Sequence, residues 1–444
     1  MEETIIAGLT PPGKARIIGS RTMGKRKGGY APPYSKHSFL VHGKFMTSKW
    51  DFEHHVVPPI SSSSTYRLET AERGAAGFCG YCDPKDRSHK RSEIFIYDRL
   101  DEPTRAMLEE RLAFVEGGGA CVAFSTGMAA IAAALGVTVR AGDEIVAHHA
   151  LYGCTYSLLT HWMPRLGIRV RYTDLTRPDK LPGILSRKTR AVIYESPVNP
   201  TLELIDIAAV SAVCRKRRVV TIVDNTFATP FCQRPLALGA DIVCHSLTKN
   251  ICGFGTDMGG AVIAAASRES DLLLYRKDFG GVLSSKNAWP ILVYGLPSLE
   301  LRMRKEEQNA LEIARFLEGH PKVERVSYPG LESFEQRDLA RRQMTDFDGT
   351  FAPSNMVYFV LKRGDKAASR LVNHCSRHAY TITLAVSLGQ IRTLIEKPTG
   401  MTHAALPPAV QRAGHLSPGG VRLSVGIEDA GDIIHDLREA LKTV

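Results

Sequence analysis

The chain predicts an α/β protein, with a mainly parallel sheet covered by helices on both faces and a smaller α+β domain after it. Three observations carry this reading. Short β-branched runs alternate with helical patterns between about residues 119 and 245, the order of a parallel sheet wound with helices. A long helical stripe (Leu299, Met303, Leu311, Phe316) then marks a change of order. Last, 444 residues are long for one domain and suit two or three.

The elements follow in sequence order. Residues 1–45 read as a basic flexible N-terminal arm, and 46–104 as an extended, loop-rich segment. The latter holds Pro58-Pro59, serines at 61–64 and a Gly-, Lys- and Arg-rich stretch over 73–92. Leu108, Leu112 and Val115 form the stripe of an amphipathic helix that Gly117-Gly118-Gly119 ends. Buried strands are expected at Glu144–His148, Arg169–Thr173, Ala191–Glu195, Val219–Asp224 and Asp241–His245, with helices such as Gly127–Leu135 and Asp206–Arg217 between them. Residues 105–299 thus form the large domain and 300–444 the small one. The small domain ends in a helix carrying Ile433, Ile434, Leu437 and Leu441.

Composition excludes several classes. A 44% hydrophobic, 23% charged chain is neither disordered nor collagen-like, and no run approaches eighteen apolar residues, so no membrane span is expected. Of the net charge of +11, residues 1–45 hold +6, with eight Lys or Arg against Glu2 and Glu3. The basic excess is mostly a tail, and no nucleic-acid partner is expected. There is no apolar signal region, and the nine cysteines are odd in number and scattered, as in a reduced cytoplasmic protein. Cys79-Gly-Tyr-Cys82 has zinc-type spacing without a second pair, so it reads as a loop coincidence, and no metal is expected.

The chemistry concentrates in 219–260. Five apolar or β-branched residues lead into Asp224, which puts a carboxylate at the carboxyl end of a buried strand, where open α/β sheets bind ligands. The next strand delivers Ser246, Thr248 and Lys249 to the same edge. An acid, two hydroxyls and a lysine suit pyridoxal 5'-phosphate. The lysine forms a Schiff base, the carboxylate keeps the pyridine nitrogen protonated, and the hydroxyls reach the phosphate. A strand-end Asp and a surface Lys are each common alone, yet Lys249 precedes a Gly-rich loop, an odd setting for a solvated lysine. Phe124-Ser125-Thr126-Gly127-Met128 opens a small-residue helix, an anion site or simply a cap. Gly253-x-Gly255 lacks the dinucleotide spacing.

SLTKNICGFGTDMGG is similar to the pyridoxal-lysine signature of the trans-sulfuration (Cys/Met metabolism) family of fold-type-I enzymes. The resemblance runs from about residue 56 to the C-terminus through YDRLDEPT, FSTGMAAI, LYGCT, ESPVNPT, VDNTFATP, AVSLG, MTH and VRLSVGIED. It implies a seven-stranded-type sheet, Lys249 as the Schiff-base lysine, and Asp224 as partner of the pyridine nitrogen. It places Gly127, Met128, Ser246 and Thr248 on the phosphate, Tyr152 stacked on the ring, and Asn199 at the ring hydroxyl. Arg422, with Ser387 and Asn199 nearby, clamps the carboxylate of an amino-acid substrate. Tyr97 and Arg99 reach the phosphate of a neighbouring subunit, implying a homotetramer whose sites are shared within dimers. One departure is Glu102, where the family has Asn, and another is an apparent insertion over 73–93.

Four positions bear on the reaction. Cys154 resembles the cysteine of methionine γ-lyases, where most relatives have a small residue, and a polarizable thiol suits a thioether sulfur. Lys277-Asp278 resembles the pair that forms a polar network with that cysteine. Val386, before Ser387, stands where cystathionine γ-lyases tend to have Glu, and an apolar side chain suits a methylthio tail. The expectation is α,γ-elimination of methionine. O-acetylhomoserine sulfhydrylase is the runner-up, with the cystathionine enzymes after it.

Overall fold

The computed structural model describes residues 35–43, 55–82, 94–404 and 407–444, with only the backbone of 79–82. The basic run up to residue 34, most of the 73–93 insertion and the side chains of Cys79 and Cys82 lie outside the described residues.

Seven strands form the large sheet: β1 (Ala120–Phe124), β2 (Glu144–His148), β3 (Arg169–Thr173), β4 (Thr189–Glu195), β5 (Val220–Asp224), β6 (Ile242–Ser246) and β7 (Gly260–Ala264), in the order β1-β7-β6-β5-β4-β2-β3. From β6 to β3 all neighbours are parallel. Three of these strands, β1, β2 and β7, are buried along their whole length, as continuous Val, Ile and Ala runs require when helices cover both faces. The expected strands are present to within a residue or two at each end. The sequence reading missed β1 and β7. The latter runs antiparallel between β1 and β6, and its run follows directly from the Gly-rich loop, so no polar break marks its start.

The smaller sheet comprises β8 (Val323–Ser327), β9 (Met356–Leu361), β10 (Ile382–Leu384), β11 (Thr393–Glu396) and β12 (Gly420–Ser424), in the order β10-β11-β12-β9-β8. Only its β10–β11 pair is parallel. The helices Leu296–Glu318, Gly364–His378 and Ala430–Lys442 flank it, and Ile313, Leu317, Val357, Phe359, Leu371, Leu423 and Leu437 fill one continuous core.

Two expectations about the N-terminal third need correction. Residues 36–42 are no flexible arm but a helix, α1 (Lys36–His42), capped by Ser35 and closed by Gly43 at φ 63°. Phe39 and Leu40 are buried, with the Phe39 ring tilted against that of Phe114 at a centroid distance of 3.9 Å, and Lys36 Nζ donates to Val115 O at 2.7 Å. Two adjacent apolar residues suffice to dock a single turn pair, and charge counting over the tail hides them. Within the loop-rich segment, Ala71–Cys82 is likewise a helix, α2, so the CxxC backbone is helical rather than looped. Its alanines, Glu72 and Arg73 outweigh three glycines once the helix has something to pack on, here the helix Glu269–Phe279.

Glu102 is the N-cap of α3 (Pro103–Glu116): its carboxylate accepts the N–H of Thr104 at 2.8 Å and that of Arg105. It therefore does the capping work that an Asn would do, with Pro103 at the first helical position. The charge is buried but faces the positive helix end and the buried Arg105. Glu102→Ala should lower the unfolding free energy by about 1–2 kcal/mol, read from the urea midpoint of the holoprotein, and Glu102→Asn should recover most of it. An Asn variant no more stable than the Ala variant would refute the capping role.

Candidate active site

A cavity of about 270 Å³ opens where β4, β5 and β6 end, and loops of the smaller sheet close its far side. Glu195 and Asp224 are register partners at the ends of β4 and β5, and Ser246 ends β6. The lining includes Gly127, Met128, Tyr152, Asn199, Asp224, Ser246, Thr248, Lys249, Val386, Ser387 and Arg422. The structure thus brings eleven of the expected positions to one cavity.

Asp224 is held by Thr226, whose hydroxyl donates to Oδ1 at 2.5 Å and whose N–H donates to the same oxygen at 3.0 Å. Burial pushes the Asp224 carboxyl above the usual carboxylate range, opposed by Thr226, His245 and Lys249. The Thr226 hydroxyl oxygen also accepts the N–H of Ser246 at 2.9 Å, so one side chain joins the ends of two strands. Thr226 lies two residues after Asp224 in VDNTFATP, a motif whose resemblance assigns a role to the Asp alone.

The α4 helix (Gly127–Gly136) begins at the cavity with Thr126 as its cap. A Cβ on Gly127 would sit 2.7 Å from Cβ of Ser246, so the helix end approaches β6 only because residue 127 lacks a side chain. Exposed N–H groups at that end, with the Ser246 and Thr248 hydroxyls, make a cradle suited to a phosphate. A buried acid facing the cavity from one side and a lysine from another complete a donor set that fits pyridoxal phosphate.

Lys249 Nζ donates to Ser387 Oγ at 2.6 Å. Burial, and then repulsion by Arg422, lower its pKa to about 8, against the pull of Glu396 and Asp224. Ser387 adopts φ 88°, a left-handed conformation costly for a non-glycine residue. It is held there by Lys249 on its hydroxyl and by Arg422 Nη2, which donates to its carbonyl at 2.7 Å.

Arg422 Nη1 donates to Asn199 Oδ1 at 2.9 Å and pairs with Glu396 at 3.0 Å, its cross-strand partner in β11. Both members of the pair are buried. The Thr402 hydroxyl donates to the same Glu396 oxygen at 2.7 Å. The sequence reading missed Glu396, although Met401-Thr402-His403 was recognised and Glu396 lies just upstream of it.

Tyr152 precedes the short helix Gly153–Ser157 that carries Cys154. Burial raises the proton affinity of its hydroxyl, and the hydrogen bond to the exposed Cys154 side chain raises it further. Cys154 itself is not part of the cavity wall.

The remaining residues lie elsewhere in the same chain. Arg99 donates to the carbonyl of Lys277 and lies 5.5 Å over the Tyr97 ring, while Lys277 and Asp278 pair at 2.6 Å near the end of the helix Glu269–Phe279. None of these four lines the cavity of its own chain. Among the described residues the pair meets Arg99 at the Lys277 carbonyl, and no hydrogen bond or ion pair joins it to Cys154 within one chain.

Away from the cavity, His148, His149 and Asp174 bring possible metal-donor atoms within 4.8 Å of one another. His148 Nδ1 already accepts the N–H of Leu175 at 3.1 Å. That leaves the ring proton on Nε2, and neither nitrogen is then free to ligate. No helix among the described residues is long and apolar enough to cross a membrane.

The Cys/Met metabolism PLP-dependent enzyme family matches residues 38–442. The L-methionine gamma-lyase of Fusobacterium nucleatum subsp. polymorphum is 39% identical over 389 residues, covering 87% of this chain and 93% of its own. That of Porphyromonas gingivalis is 40% identical over 388 residues, covering 87% and 92%. The cystathionine beta-lyase of Lactococcus lactis subsp. cremoris is 36% identical over 405 residues, covering 91% and 98%. Among solved structures, the cystathionine gamma synthase from Xanthomonas oryzae pv. oryzae, in complex with aminoacrylate and cysteine, superposes with a TM-score of 0.81. It is 34% identical, covering 93% of this chain and 99% of that one. With a family match over nearly the whole chain and relatives at this identity, the chain belongs to the Cys/Met metabolism family of enzymes that depend on pyridoxal 5'-phosphate.

Proposed function

We propose that this carbon–sulfur lyase catalyses the α,γ-elimination of L-methionine, turning methionine and water into 2-oxobutanoate, ammonia and methanethiol. The observation that carries the reading is Tyr152 at the cavity wall, its hydroxyl kept protonated by burial and by the nearby Cys154 side chain. That is a proton donor with a soft sulfur beside it, suited to a departing thiolate. Val386, an apolar and accessible residue beside Ser387, suits an uncharged methylthio tail. The methionine γ-lyases among the relatives support the same reading.

Bound pyridoxal phosphate supplies a carbonyl carbon for the substrate amine and a ring that spreads negative charge from the α-carbon. Asp224 holds the proton on the pyridine nitrogen, and Gly127, Met128, Ser246 and Thr248 hold the phosphate. Arg422 binds the α-carboxylate as a planar fork, with Asn199 and the Ser387 carbonyl fixing its plane. Lys249, once its amine is free, takes the proton from the α-carbon and then moves one from the β-carbon. Tyr152 gives a proton to sulfur as the bond to the γ-carbon breaks. Tyr97, Arg99, Lys277 and Asp278, lying off their own cavity, serve the cavity of a neighbour in a dimer, two of which make the tetramer.

Three outcomes test this. The neutral lysine is the nucleophile, and its pKa is lowered to about 8. Apoprotein should therefore regain its visible absorbance on adding pyridoxal phosphate at a rate that rises as pH passes up through about 8. Lys249→Ala should show neither the band nor more than about a hundredth of wild-type turnover. A rate that climbs only near the ordinary lysine range would contradict the depressed amine.

Mixing inactive Lys249→Ala chains with inactive Arg99→Ala chains should restore activity, since hybrids contain one intact composite site. No recovery after verified subunit exchange would mean that the sites are not shared.

Cys154→Gly should reduce methionine elimination about 10- to 100-fold, roughly 1.4–2.7 kcal/mol of barrier, and O-acetylhomoserine turnover much less. Acetate leaves without help, whereas methanethiolate does not. Equal losses on both substrates would reduce Cys154 to packing. Homocysteine formed from O-acetylhomoserine and sulfide far faster than methionine is cleaved would replace elimination with γ-replacement.

A further inference from the structure

Glu195 was given no role by the sequence reading, yet it occupies a junction. It ends β4 beside Asp224, is 5% exposed, and lines the cavity. Its Oε1 accepts the N–H of Tyr152 at 2.5 Å, and its Oε2 accepts the N–H of Asn199 at 3.3 Å. Tyr152 arrives from the segment after β2, Asn199 from the turn after β4. One carboxylate therefore ties together two separate segments that each bring a side chain to the cavity. Asn199 in turn accepts from Arg422, so the tie extends into the smaller sheet.

We propose that Glu195 is a positioning residue that sets Tyr152 and Asn199 as one unit against the cofactor ring and, through Asn199, orients Arg422. This rests on the reading that Tyr152 stacks on the ring. The chemistry needs a carboxylate here. Both oxygens face N–H donors, and only a side chain with two acceptor oxygens and no donor satisfies both. A glutamine presents an NH₂ group to one of the two N–H groups and leaves it unpaired in a buried place. An aspartate keeps the charge but is a methylene short of spanning the pair. The position is electrostatically unfavourable in itself, since burial and then Asp224 push the Glu195 carboxyl up to about 8, while the two N–H donors and Arg422 oppose that. A tie needed only for stability is better made by an acceptor that carries no charge beside Asp224.

The test uses cofactor binding rather than turnover. Apoprotein forms of wild type, Glu195→Gln, Glu195→Asp, Tyr152→Leu and the Glu195→Gln/Tyr152→Leu pair are titrated with pyridoxal phosphate. The visible circular dichroism of each loaded protein is recorded, with far-ultraviolet spectra and thermal midpoints as folding controls. Glu195→Gln should bind about tenfold more weakly, the scale of one charge-assisted hydrogen bond. Its visible dichroism should change while its far-ultraviolet spectrum does not. The double variant should bind within about threefold of Tyr152→Leu alone, because most of the carboxylate's effect on cofactor binding acts through that ring. Glu195→Asp should fall between wild type and Gln, and it decides the matter if the Gln variant does not fold. Binding and dichroism unchanged in Glu195→Gln, or in Glu195→Asp where that variant decides, would overturn the proposal, as would losses that multiply fully in the double variant. Absence of methionine cleavage by the wild type would overturn the elimination reading and leave this one standing.

Discussion

Burying a carboxylate is unfavourable unless the surroundings answer its charge, and three acids meet that constraint around one cavity: Glu195 and Asp224 in its wall, and Glu396 paired with the lining Arg422. Glu195 is answered by two backbone N–H groups, Asp224 by the hydroxyl and N–H of Thr226, and Glu396 by Arg422. Each answer fixes a different part of the site. The Glu195 contacts fix the segments bearing Tyr152 and Asn199. Thr226 locks the end of β5 to the end of β6, hence Asp224 to Ser246. Glu396 holds the Arg422 guanidinium within the smaller sheet. Without these partners the ionised acids would be less favourable still, and the segments that they tie together would lose those ties.

The two sheets meet through polar contacts at the cavity. Arg422 on β12 reaches Asn199 after β4, and Lys249 after β6 reaches Ser387 after β10. Ser387 is where both connections converge, and its left-handed backbone is held by what it bonds to rather than by its own preference. The group expected to hold the substrate carboxylate and the amine expected to move the α-proton are thus placed by one shared residue.

Much of this was legible in the sequence because strand ends are written in apolar runs. Five β-branched or apolar residues before Asp224, and the run before Ser246, announce buried strands whose next polar residue must lie at the sheet edge. The resemblance then picked out the lysine, the arginine and the serine, and these do converge. What was not legible follows from packing. The docked helix at 36–42 hides in a basic stretch because only Phe39 and Leu40 carry it. Glu195 and Glu396 each look like an ordinary acid until a partner from a distant segment is seen: Tyr152 lies 43 residues from Glu195. Glu102 stands in the sequence as a departure from the family's Asn. Its contacts show a helix cap, which no spacing rule separates from a binding residue. Lys277 and Asp278 were assigned to substrate binding by resemblance, and neither lines the cavity of its own chain.

On the proposed reading, Arg422 links recognition of a substrate carboxylate to the proposed acid–base group, Lys249. Its positive charge is the second cause, after burial, of the lowered proton affinity of Lys249. A carboxylate held by Arg422 offsets that charge, so the repulsion on the lysine weakens and its proton affinity rises. Before a substrate arrives, the amine is poised to be neutral near pH 8 and can attack a carbonyl carbon. With an α-carboxylate in place, the same amine is a stronger base, the property needed to take a proton from carbon. Glu396 limits the swing, because it already balances part of the Arg422 charge and also acts on Lys249 with the opposite sign. A single guanidinium therefore suits the lysine to two successive tasks, with no movement of the backbone required.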